Sequence, residues 1–192
     1  IRQPQHAQAP AQPLILNGRF NQLNACAALL AAQHVGVPLD TGLQALQTFS
    51  GVKRRQELLA RVNGIDIIDD FAHHPTAIAL TLEALKAQTQ GRLIAVFEPR
   101  SNSMKMGIHE KTLGSAFSMA DLALIYDSQQ LSWDVQNLLD PEQPQKLQIL
   151  DNIQNIIGLL VKTAKQGDTI VIMSNGGFQG IQQQLIQALE KD

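Results

Sequence analysis

NGIDIIDDFAHHPTAIALTLEALK, residues 63–86, reads as four pieces in immediate succession. Asn63-Gly64 is a hairpin-turn pair within Arg61–Ile65. Ile65–Asp69 is a short apolar strand. A polar loop follows, and Pro75 then opens a helix over 75–88, since proline suits the first helical position. The same cadence repeats downstream. Strand-like runs fall at Leu93–Phe97, Leu122–Tyr126, Leu147–Leu150 and Thr169–Met173, with helix candidates at 108–119, 152–165 and 177–190. Leu113, Ala116, Phe117 and Ala120 share one helical face, and Phe178, Ile181, Leu185 and Leu189 share another. Short apolar strands alternating with helices predict a mostly parallel sheet covered on both faces. Residues 51–192 therefore read as an α/β, Rossmann-like domain.

Residues 1–50 differ. Residues 1–13, IRQPQHAQAPAQP, form a Pro/Gln/Ala-rich tether. A helix is expected over Asn21–Val35, with Leu23, Ala27, Leu30 and Ala31 on its apolar face and Gly36 as its stop. A second runs from Asp40 to Phe49, burying Leu43, Leu46 and Phe49. This is too short and too helical for a full second domain and reads as the tail end of one. The first residue is Ile1, which fits a piece of a longer protein. Cys26 lies in an Ala-rich helix and is expected to be core rather than nucleophile.

The 192 residues are 44% hydrophobic, 17% charged and 4% aromatic, so the core must be aliphatic. A net charge of −2 argues against a nucleic-acid surface. No apolar run reaches spanning length, so no membrane contact is expected. One cysteine excludes an internal disulfide framework and fits a reducing, cytoplasmic setting.

Ligands of open α/β sheets bind beyond the carboxyl ends of the strands. Polar residues gather there: Asp69–His74 after the first strand, Glu98–Ser103 after the second, Asp127 and Ser128 after the third, and Ser174–Gly177 after the last. Adjacent histidines cannot easily face one ion, so no metal site is expected at His73-His74. The carboxylates there could cap the helix at Pro75, with the histidines left for a phosphate or ribose. Arg100 and Lys105 are candidate anion binders, Arg100 by its bidentate fork; a solvated loop is the plain alternative. Ser174-Asn175-Gly176-Gly177 places glycines before a helix, whose first amides could bind an anion or simply make a tight turn. Lys53, Arg54, Arg55 and Glu57 could be a solvated charge run. Asn21 and Asn24 lie near a helix start, where Asn21 could cap. No G-x-x-x-x-G-K-[ST], H-E-x-x-H, G-x-S-x-G or C-x-x-C occurs in the sequence.

In order, NGRFNQLN, FSGVKRRQE, IDDFAHHPTAI, FEPRSNSMK and MSNGGF resemble the Mur ligases of bacterial cell-wall synthesis. The likeness is greatest to the recycling branch, which joins a murein tripeptide, L-Ala-γ-D-Glu-meso-diaminopimelate, to UDP-N-acetylmuramate. The resemblance implies three domains: a UDP-sugar domain, a central ATPase domain with a P-loop, and a C-terminal Rossmann-like domain. Residues 1–50 would be the end of the central domain and 51–192 the C-terminal domain; the missing domains of the same chain are the implied partners. It implies that ATP, assisted by Mg2+, phosphorylates the muramate carboxylate and that the alanine amine attacks the acyl phosphate. It assigns Asn21, Asn24, Arg55, Asp70, Phe71 and His73 to the nucleotide. Arg100, Ser101, Asn102, Lys105, His109, Ser174, Asn175 and Gly176 fall to the peptide. No residue is singled out as catalytic, and this chain alone is expected to be inactive. A stand-alone module that binds an acidic peptide or nucleotide without catalysis is the alternative.

Overall fold

The computed structural model describes residues 18–140, 142 and 145–191. The expected tether at residues 1–13 lies outside them. The chain forms two compact units, residues 1–51 and 52–192.

In the first unit, helix α1 (Arg19–His34) is followed by α2 (Leu39–Thr48). The close approach is made by Leu29 of α1, whose Cδ2 lies 2.7 Å from where a Cβ would stand on Gly42 of α2. The half-buried line of α1 is Asn21, Ala25, Leu29 and Ala32. The face expected from sequence is the other one: Leu23 and Leu30 are exposed, as are Ala27 and Ala31. Cys26 is exposed too, so its expected core position is corrected. Gly18, not Asn21, precedes the first turn of α1, and no side chain caps it.

The second unit is a six-stranded sheet. Its strands are β1 (Glu57–Val62), β2 (Ile65–Asp70), β3 (Leu93–Phe97), β4 (Leu122–Tyr126), β5 (Leu147–Leu150) and β6 (Thr169–Met173), in spatial order β1-β2-β6-β3-β4-β5. β1 pairs antiparallel to β2 across the Asn63-Gly64 turn; the other pairings are parallel. Sequence reading foresaw that turn but not β1, because the half-exposed ELLARV shows no continuous apolar run.

Helices α3 (Pro75–Lys86), α4 (Asn102–Lys105) and α5 (Glu110–Ala116) lie on one face; α6 (Ile153–Thr163) and α7 (Ile181–Leu189) lie on the other. Strand alternation divides the core between them. Ala95, Phe97, Val171 and Met173 pack with the first set, and Ile94, Val96, Ile170 and Ile172 with the second. The faces expected for α5 and α7 are buried as read: Leu113, Ala116, Phe117 and Ala120, and Phe178, Ile181, Leu185 and Leu189. The helix expected at 108–119 is shorter, α5 covering only Glu110–Ala116, and Gly107 at φ +73° lies in the turn before it. No helix among the described residues is long and apolar enough to cross a membrane.

One feature of register positions the site. Met173 of β6 is opposite both Asp70 of β2 and Phe97 of β3. The residues after these ends, Phe71, Ser174 and Glu98, therefore emerge side by side.

Candidate functional site

The two carboxylates ending β2 point to opposite faces because the strand period is two. Asp69 faces α7, where Gln182 donates to it at 3.3 Å. Asp70 faces α3: its Oδ1 accepts from the Ala72 amide at 2.7 Å and lies 3.5 Å from Thr81 Oγ1. Its Oδ2 accepts from the Gln56 amide at 2.8 Å. Burial pushes both carboxyls above the ordinary aspartate value, and these hydrogen bonds, with Arg54 near Asp69 and Arg55 near Asp70, offset it only in part. Neither aspartate caps α3. His74 does, its Nδ1 accepting from the Thr76 amide at 3.3 Å.

Asp70 thus organises the turn that carries Arg54 and Arg55, and a ribose contact by it requires that turn to open. The turn is strained: Arg54 has φ +59° and Gln56 φ +50°, a region that costs non-glycine residues about 1–3 kcal/mol. Arg54 is held from all sides. Its amide donates to Glu57 Oε2 at 2.7 Å and its carbonyl accepts from the Phe71 amide at 2.7 Å. Its guanidinium lies 3.3 Å from Asp69 and donates to the carbonyls of Ser174 and Gly176. The guanidinium carbons of Arg54 and Arg55 lie 5.3 and 5.4 Å from the Phe71 ring centre, a cation–π distance. The ring of His73 meets Phe71 edge-on at 5.2 Å, and its Nδ1 lies 2.9 Å from the Phe71 carbonyl.

Across the same edge, Ser174 is fully buried. Its amide donates to the Asp70 carbonyl and its hydroxyl to Glu98 Oε2. Arg100 lies against Gly176: a Cβ there would stand 2.0 Å from Arg100 Nη1 and 2.6 Å from its Cδ. Gly176 is needed for that close approach. Gly176 and Gly177 do not open the helix expected at 177–190, since α7 starts only at Ile181. Phe178, Gln179 and Gly180, at φ +42°, +51° and +70°, form a left-handed turn between the loop and the helix. Asn175 is half-buried, and its Oδ1 has no hydrogen-bond partner among the described residues.

The other sequence candidates sit around this cluster or away from it. Ser101 caps α4, accepting from the Met104 amide, and Asn102 is exposed beside it. Lys105 reaches Gln130 at 3.0 Å. His109 stacks edge-on against His74 at 4.4 Å, and burial with the His74 charge lowers its pKa. Asn21 and Asn24 belong to the first unit. Sequence reasoning chose Arg55 from the basic run and passed over Arg54 and Glu98. The position of Glu98, directly after the apolar run LIAVF, was a usable sign that its side chain is buried. The left-handed turn at Arg54 left no such sign.

The exposed Arg55, stacked on Phe71, fits a phosphate, while Asn175 Oδ1 is a buried acceptor without a partner among the described residues. Asp69 and Asp70 are engaged, and the described residues include no group of three or more Asp, Glu, His or Cys placed to hold a metal.

Residues 54–176 match the family described as Mur ligase, glutamate ligase domain. The Escherichia coli UDP-N-acetylmuramate–L-alanyl-gamma-D-glutamyl-meso-2,6-diaminoheptandioate ligase is 42% identical over 92% of this chain and 39% of its own length. A crystal structure of a murein peptide ligase from Psychrobacter arcticus superposes with TM-score 0.72 at 42% identity, covering 93% of this chain and 38% of the other. An isolated domain from Haemophilus ducreyi, at 40% identity and TM-score 0.59, covers 70% of this chain and 99% of its own. The chain thus spans about two fifths of the complete ligases it matches. With its match running from the Arg54 turn through β6 to the Gly176 loop, the chain belongs to the Mur ligase family.

Proposed function

We propose that this chain is the C-terminal part of an ATP-dependent ligase joining L-alanyl-γ-D-glutamyl-meso-diaminopimelate to UDP-N-acetylmuramate in peptidoglycan recycling. In this reading residues 1–50 are the end of a central ATPase domain and residues 51–192 the substrate-closing domain. The supporting observation is the convergence of Arg54, Arg55 and Arg100 on one sheet edge. Arg54 is matched there to Asp69, while Arg100 has no ion-pair partner among the described residues. The tripeptide carries several carboxylates, so it needs such groups.

Arg100 binds a carboxylate of the diaminopimelate end, with Ser101, Asn102, Ser174, Asn175 and Gly176 shaping the pocket. Lys105 and His109 flank it. Arg55, Phe71 and His73 face the nucleotide, and Asp70 holds their turn. The family likeness assigns Asn21 and Asn24 to a nucleotide as well. ATP supplies the phosphoryl group that turns a carboxylate oxygen into a leaving group. Mg2+ has no cage among the described residues, so its ligands come from the rest of the polypeptide. The residues of this chain bind, orient and exclude water around the reacting groups.

Calorimetric titration of the complete polypeptide with tripeptide, with and without a nucleotide analogue, tests the reading. Saturable binding that tightens with the analogue is expected. Absence of tripeptide binding under both conditions overturns it. The 192-residue chain alone is expected not to hydrolyse ATP.

A further inference from the structure

Glu98 is the first residue beyond β3 and is only 7% exposed. Its carboxylate is in none of the ion pairs formed among the described residues. Removing a carboxylate from water without a cation opposes folding, and an apolar side chain of similar size would serve packing better. The carboxylate does have one defined task. Its Oε2 accepts the hydroxyl proton of Ser174 at 2.5 Å. A serine hydroxyl has a single proton and two lone pairs. With the proton committed to Glu98, the lone pairs turn away from it, and Ser174 Oγ accepts the Gly176 amide at 2.8 Å.

This relay ends under Arg100. The guanidinium and the stem of Arg100 lie across the Gly176 backbone, close enough that no Cβ could stand between them. Glu98 also anchors the other side of the contact. Its amide donates to the Met173 carbonyl at 3.1 Å, and the buried Pro99 fixes the backbone between Glu98 and Arg100. Both partners of the Arg100–Gly176 contact are therefore tied to one residue.

We propose that Glu98 is a positioning residue for substrate recognition. Through Ser174 Oγ and the Gly176 amide it holds the backbone shelf on which Arg100 lies, and so aims the guanidinium at a peptide carboxylate. This rests on the peptide-site reading above.

The test is steady-state kinetics of the complete ligase with Glu98→Leu, Glu98→Gln and Arg100→Ala. Glu98→Leu is expected to raise the tripeptide KM at least tenfold while the KM for ATP stays within twofold. Glu98→Gln keeps an acceptor oxygen and is expected within threefold of the parent. On the Arg100→Ala background, Glu98→Leu is expected to add less than twofold. An unchanged tripeptide KM in Glu98→Leu, beside a raised one in Arg100→Ala, overturns the relay. So does a glutamine no better than leucine, or full additivity with Arg100→Ala. If Arg100→Ala itself leaves the tripeptide KM unchanged, the peptide-site reading fails instead. Amide exchange at Gly176 in the 192-residue chain then judges the relay independently: at least tenfold faster exchange in Glu98→Leu supports it, and unchanged exchange overturns it. Should Glu98→Leu not fold, Ser174→Ala carries the same expectations.

Discussion

The two ends of the parallel sheet use the same kinds of side chain in opposite ways. At the amino end, Asp168 is 3% exposed and accepts from the Arg92 amide (2.8 Å), Arg92 Nη2 (2.6 Å), Arg92 Nε (3.2 Å) and the Lys165 amide (3.0 Å). Asp121 accepts from Lys86 Nζ at 2.6 Å and the Leu93 amide at 2.7 Å. Burial works to raise both carboxyls, but the hydrogen bonds outweigh it and both sit below the ordinary aspartate value. At the carboxyl end, burial prevails and Asp69 and Asp70 sit above it. There too are a strained turn, buried side-chain atoms of Gln56 and Asn175 without partners among the described residues, and Arg100, in no ion pair among them. One end is satisfied from within. The other keeps raised carboxyls and polar atoms that the described residues leave unpaired, features that mark a candidate ligand site.

The sharpest way to break this contrast is to exchange its consequences. Asp168→Ala leaves the Arg92 and Lys165 amides without their acceptor, while the partly exposed Arg92 guanidinium keeps the Thr163 carbonyl. It is expected to lower stability by about 2–4 kcal/mol in urea unfolding, with tripeptide affinity of the remaining folded ligase within twofold of the parent. A loss of affinity at constant stability would reverse the roles given to the two ends. Arg100→Ala is the counterpart. In the complete ligase it is expected to raise the tripeptide KM by about 30- to 1,000-fold, roughly 2–4 kcal/mol for a charge left without its fork. Its urea midpoint should not move, because Arg100 is exposed and in no ion pair among the described residues. An unaltered KM removes Arg100 from the site.

Much of this was legible beforehand, and the exceptions share a cause. The five strands after the hairpin turn stand out because a parallel strand buried on both faces must be apolar along its length, as LIAVF and TIVIM are. The edge strand β1 did not, because half of it faces solvent. The apolar stripe of α1 was misassigned because alanine-rich helices offer several nearly equivalent faces, and Gly42 selects Leu29 by shape. At the site, residue types at strand ends were readable from alternation. The place of Arg54 at the centre of its turn was not, since it depends on a left-handed residue that no local pattern announces. The space that Gly176 leaves for Arg100 is likewise a contact between loops 76 residues apart, invisible to any local window.

A smaller effect sharpens the picture of the carboxyl end. Gly176 has an ordinary backbone conformation, so Gly176→Ala strains no dihedral; its methyl instead collides with the exposed Arg100 side chain, which can swing away. The expected result is stability within about 0.5 kcal/mol of the parent, as for surface changes, and a tripeptide KM raised about tenfold, roughly 1.4 kcal/mol. Combined with Arg100→Ala, it should add almost nothing. Equal penalties with and without Arg100 would mean that Gly176 meets the ligand itself.

The smallest effect is electrostatic and reads both ends in one titration. Following the aspartate carboxyl carbons by NMR as pH falls, Asp69 and Asp70 are expected to protonate above the ordinary value of about 3.9, and Asp121 and Asp168 below it. The stability consequences have opposite signs. Asp121 and Asp168, depressed in the folded state, contribute stability that is present above the unfolded value and lost as pH falls through their folded values. Asp69 and Asp70, raised in the folded state, oppose folding above their folded values, and that opposition is relieved as pH falls toward the unfolded value. Mild acid should therefore ease the carboxyl end before it loosens the amino end. Asp168→Asn should remove part of the acid-induced loss, whereas Asp69→Asn should flatten the gain that precedes it. If all four carboxyls titrate together near the ordinary value, the two ends are electrostatically alike, and only the geometry of Arg100 and Gly176 still separates them.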